Sequence, residues 1–225
     1  MKDKFITLVL IPVILLAGCN GKVQTPIGSI DISQPQINTS NIEYEFNELK
    51  LATAIVLANG IKNLPTINSS KLNTMQDIND FVKNVNSVIE VSNKNLGTNF
   101  QKIKVEQVSD AAVFIENYGP LIEPYNSLIA SANQLNPDDD ASLNELYANT
   151  ALLGTDIFLV QTGGIHKTTF KLVGVLNNEL KIAKIRNLCG NECHSLFLKR
   201  LYTFINVNLG SVTESFESWI KQFIY

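Results

Sequence analysis

From about residue 40 onward, apolar residues recur every three or four positions, which places them on one face of an α-helix. Glycines, prolines and capping residues divide this pattern into segments of ordinary helix length. No stretch alternates apolar and polar residues with the period of two that is typical of a half-buried strand. The pattern therefore predicts an all-α domain over residues 40–225, an irregular bundle of about six to seven helices.

The first two predicted helices have clear start signals. Ser40 and Glu43 are spaced as a capping box, and so are Thr74 and Asp77. The first helix then runs to Asn59-Gly60 and the second ends at Gly97. The apolar stripe of the first contains Ile42, Phe46, Leu49, Thr53 and Val56, and that of the second contains Ile78, Phe81, Val82, Val85 and Ile89.

A third helix is predicted to begin near Asp110 and to be broken or kinked, because Pro120 and Pro124 stand four residues apart. The acidic triplet 138–140 then starts a fourth helix, because the helix dipole favours negative charge at the N-terminal end. A calcium-binding loop is the alternative for this triplet. That loop requires alternate acids and a glycine at its sixth position, which do not occur here.

The fourth predicted helix is unusually apolar. Residues 146–165 contain a single charged side chain, Asp156, so a membrane span is one interpretation. Several amide and hydroxyl side chains make this stretch too polar for easy insertion. We therefore predict a central helix that the other helices surround.

Three further helices are predicted towards the C-terminus. The fifth spans Ile165–Arg186, the sixth runs from Glu192 to Asn208, and the seventh begins at Ser211 with the capping residue Glu214. The seventh carries a stripe of Phe216, Trp219, Ile220 and Phe223.

The N-terminus has the features of an export signal. Lys2 and Lys4 precede twelve uncharged residues, Phe5–Leu16, which is the length of a signal-peptide core and too short to span a membrane. The run ends in Leu16-Ala17-Gly18-Cys19, which resembles the lipobox of bacterial and archaeal lipoproteins. This resemblance implies that residues 1–18 are removed and that the Cys19 thiol carries acyl chains such as palmitate. An ordinary secretory signal is the alternative.

Residues 19–39 are rich in Gly, Pro, Ser, Thr, Gln and Asn and contain only two charged side chains, Lys22 and Asp31. This composition predicts a flexible tether between the lipidated cysteine and the helical domain. The alternative is a first strand that packs on the domain through Ile27, Ile30 and Ile32.

Charge and composition exclude some partners. Without Lys2, Asp3 and Lys4, the chain has 16 basic and 20 acidic side chains, a formal net charge of −4. No basic patch indicates nucleic acid. Arginine is nearly absent and occurs only at positions 186 and 200. We interpret that scarcity as a consequence of genome composition.

Cys189 and Cys193 are the only cysteines besides Cys19, and they lie in the predicted turn between the fifth and sixth helices. Outside the cytoplasm, such a close pair predicts a disulfide. The sequence from Cys189 to His194 also resembles the haem attachment site of c-type cytochromes, lengthened by one residue. That resemblance implies covalent haem as an alternative. A zinc site lacks a fourth ligand and a standard spacing.

No other motif indicates a reaction centre, because no nucleophile elbow occurs and only His166 and His194 are available as imidazole bases. The sequence therefore favours a non-catalytic lipoprotein without a cofactor. We expect it to lie on the extracytoplasmic face of a cell membrane or outer membrane, where it binds a protein partner or a small ligand. The alternatives are a redox or c-type haem protein and a cell-envelope hydrolase.

Overall fold

The structure is a computed structural model that describes residues 23–25, 28–30, 39–104, 110–163 and 172–209, with the single positions 218 and 221. The chain divides between Asn41 and Ile42 into two units. The predicted signal peptide, Cys19 and nearly all of the predicted seventh helix lie outside the described residues.

Two short strands lie in the segment that was predicted to be a tether. Strand β1 (Val23–Thr25) pairs antiparallel with β2 (Gly28–Ile30), so that Val23 stands opposite Ile30 and Thr25 opposite Gly28. The composition predicted a tether without strands, and only the alternative interpretation placed a strand through Ile27, Ile30 and Ile32, where β2 lies. Three residues are too few to establish an alternation of apolar and polar positions. A two-stranded hairpin is at best marginally stable by itself.

All other regular secondary structure in the described residues is helical, which confirms the all-α prediction for the domain. The helices are α1 (Thr39–Ile61), α2 (Met75–Leu96), α3 (Ala111–Tyr118), α4 (Ile122–Asn133), α5 (Asp140–Gly163) and α6 (Leu172–Phe204). A 3₁₀ turn, Gly119–Leu121, joins α3 to α4, and a π-helical turn, Ile205–Leu209, continues α6. With α3 and α4 counted together, the described residues form five long helical stretches, fewer than the six to seven that were predicted.

Helix α2 confirms its sequence prediction in detail. The Thr74 hydroxyl accepts a hydrogen bond from the Asp77 N–H, and the Asp77 carboxylate accepts one from the Thr74 N–H. The Thr74 hydroxyl also donates a hydrogen bond to the Asp77 carboxylate, and this bond, together with the one from the Thr74 N–H, lowers the pKa of the Asp77 carboxyl. Gly97 ends the helix in the left-handed conformation (φ 60°), which glycine adopts without steric cost. All five residues of the predicted stripe are buried.

The predicted interruption by two prolines is also confirmed. The Asp110 side chain caps α3 by accepting a hydrogen bond from the Ala112 N–H at 2.7 Å. Pro120 lies in the 3₁₀ turn and Pro124 in the first turn of α4. A proline in the first turn removes only an N–H that has no partner within the helix, so α4 tolerates Pro124.

Helix α1 forms where it was predicted, but the predicted stripe is not its buried face. Phe46, Leu49 and Val56 are 40%, 58% and 51% exposed. The buried residues are instead Lys50, Ala54, Leu57, Ala58 and Ile61. Residues 51–61 contain apolar side chains on every side of the helix, so periodicity alone could not identify the face that packs.

Helix α5 is the central helix, as predicted. Every residue from Leu146 to Ile157 is buried. The Asp139 carboxylate accepts a hydrogen bond from the Ala141 N–H, which confirms that the acidic triplet caps the helix start. A Cβ at Gly154 would overlap the Phe100 ring, so the close approach of the chain here requires glycine. Among the described residues, no helix is long and apolar enough to cross a membrane.

Helix α6 consists of two halves that meet at Gly190, which has φ 71° and ψ −165°. Glycine adopts this conformation readily, and it breaks the helix at the predicted turn between the fifth and sixth helices. Beyond it, Glu192 lies beside Asn144 of α5, and Arg200 lies beside Asn149. Because later residues of α6 contact later residues of α5, the second half of α6 runs in the same direction as α5.

Candidate functional site

The predicted site residues are only partly described. Cys19 and the side chain of Cys189 lie outside the described residues, so both the lipidation and the disulfide stay predictions. Cys193 is described and is 1% exposed. His194 is also buried, and its ring meets that of Phe197 edge to face, with 6.1 Å between centroids.

A groove opens between α4, α5 and the second half of α6, with a volume of about 380 Å³. That volume falls within the range of small-molecule sites, about 300–1,000 Å³. Its lining combines charged, amide and apolar side chains. The residues are Glu123, Pro124 and Ser127 of α4, Glu145, Asn149 and Leu152 of α5, and Lys199, Arg200, Thr203, Phe204, Val207 and Asn208 of α6 and its π-helical turn.

Arg200 is the centre of a polar network that links these three helices. Its guanidinium donates hydrogen bonds to Asn149 Oδ1 and to Glu145 Oε1. Asn149 in turn donates from Nδ2 to the main-chain oxygen of Ser127 at 3.3 Å. The network holds Arg200 in one orientation, so the guanidinium is already positioned before any ligand arrives.

These bonds leave part of the guanidinium available. Arginine has five N–H donors, and the bonds to Asn149 and Glu145 use two of them. The Arg200 side chain is 29% exposed. Lys199, the preceding residue, is exposed, also lines the groove, and forms no ion pair with the described residues. The α6 wall therefore presents Lys199 beside Arg200, whose guanidinium forms an ion pair with Glu145.

The remaining walls differ in character. Leu152 and Phe204 are 6% and 5% exposed and provide an apolar floor together with Pro124. Val207 stands at the rim and is 75% exposed. Glu123, on α4, places a carboxylate on the wall opposite the two cations, and it too forms no ion pair within the described chain.

A second, more open depression borders the groove. The two share Glu123, Ser127 and Asn208 in their linings, and the second is also lined by the segment 67–69. This segment is fixed because Asn126 accepts a hydrogen bond from the Ile67 N–H and donates one to the Ile67 carbonyl, both at 2.8 Å.

Helix α5 also contains a polar group that the groove does not use. Asp156 is 0% exposed, and neither of its carboxylate oxygens has a hydrogen-bond partner in the described part of the chain. The neighbouring Thr155 hydroxyl is likewise buried without a partner there. Burial raises the pKa of the Asp156 carboxyl well above its usual value. Desolvation disfavours the charged form, so this residue is neutral over a wider pH range than an exposed aspartate.

No group of three or more His, Cys, Asp or Glu side chains within the described residues is arranged to hold a metal ion. The acidic triplet 138–140 instead takes part in capping and in an ion pair between Asp140 and Lys50 at 3.2 Å.

Sequence reasoning missed the groove, since its members lie on three helices and no local motif marks them. One available signal was Arg200 itself, one of only two arginines in the chain. Arginine is enriched at binding sites because its planar fork matches carboxylates.

No known protein family, curated protein or solved structure matches this chain.

Proposed function

We propose that the chain is a lipid-anchored protein of the cell envelope that binds a ligand or partner in the groove between α4, α5 and α6, without catalysing a reaction. The anchor is supported by the resemblance of Leu16–Cys19 to a lipobox. The single observation that carries the binding role is the groove itself, where a positioned arginine stands above an apolar floor.

The remaining sequence predictions complete this proposal. Residues 19–39 act as a tether from the lipidated Cys19, with the hairpin of β1 and β2 inside it. A disulfide between Cys189 and Cys193 clips the corner at Gly190. The helical domain is then a bundle of six to seven helices, one of which is the predicted seventh helix.

The anchor is tested by metabolic labelling with a fatty-acid analogue. The wild-type protein is expected to incorporate the label and to partition into detergent, because two or three acyl chains bind a membrane stably. Cys19→Ser should abolish both. An unlabelled wild-type protein, processed at another position, would contradict the lipoprotein assignment.

The groove is tested by placing a photo-crosslinking amino acid at Val207, on its rim, in the membrane-bound protein. A matched control places the same amino acid at Val113, which is 51% exposed and does not line the groove. We expect a discrete adduct from position 207 and none from position 113. Adducts of equal yield at both positions would show that the groove is not the binding surface.

A further inference from the structure

We draw no further inference here: the strongest candidate, the exposed apolar face of α1 formed by Phe46, Leu49 and Val56, is a helix face for which nothing in the described part of the structure shows what covers it.

Discussion

Replacing Asp156 by asparagine should stabilise the protein at neutral pH. Asp156 is completely buried, and its carboxylate has no hydrogen-bond partner among the described residues. Burial raises the pKa of this carboxyl in the folded state above its usual 3.8. At pH values between the pKa of Asp156 in the unfolded chain and its pKa in the folded chain, the folded chain therefore binds a proton that the unfolded chain has released. Stability falls as the pH rises through this interval, and the lost stability returns below the unfolded pKa.

The size of the effect follows from the pH and the usual pKa. Each unit between them corresponds to about 1.4 kcal/mol. At pH 7, the buried Asp156 can therefore lower the free energy of unfolding by up to about 4 kcal/mol. Asparagine has nearly the same shape and no charge, and its helix propensity is similar. Asp156→Asn should thus raise the free energy of unfolding by about 1 to 4 kcal/mol at pH 7 and by little near pH 4.

Urea unfolding followed by circular dichroism between pH 4 and pH 8 measures this difference. A chain that begins at residue 19 and carries Cys19→Ser avoids the lipid. Asp138→Asn is the control, because residue 138 is exposed, and it should change stability by no more than about 0.5 kcal/mol at any of these pH values. Loss of stability on Asp156→Asn at pH 7 would refute the reasoning, since it would show that the charged carboxylate has a partner in the folded protein.

Three other substitutions test separate parts of the fold. Gly154→Ala should lower the free energy of unfolding by about 1–3 kcal/mol, because the new methyl group would overlap the buried Phe100 ring, and urea unfolding that shows a gain would contradict this packing. Thr74→Ala removes the cap of α2 and should cost about 1 kcal/mol, whereas Thr74→Ser should retain most of the stability in the same assay. Replacing Cys189 and Cys193 by serine should lower the melting temperature modestly, because a disulfide across so short a loop contributes only about 2 kcal/mol. The intact mass of the non-reduced wild-type chain should be lower than that of the reduced chain by the mass of two hydrogen atoms. An added mass of haem size would favour the cytochrome-like alternative.

The sequence by itself determined several ends of the described helices. Thr74, Asp110 and Gly97 mark helix ends by hydrogen bonds or backbone conformations that involve residues at most four positions away. The prolines between α3 and α4 act over the same short range. Local chemistry of this kind can be read directly from the order of residues.

Only the tertiary structure decided which faces pack and where a binding groove forms. Helix α1 has apolar side chains on every side. Which of its faces is buried depends on distant residues such as Tyr147, whose hydroxyl donates a hydrogen bond to the carbonyl of Lys50, 97 residues away in the chain. The groove depends on Arg200 meeting Glu145 and Asn149, 55 and 51 residues away in the chain. These encounters require the corner at Gly190 to bring the second half of α6 alongside α5, and no local pattern specifies where that half then packs.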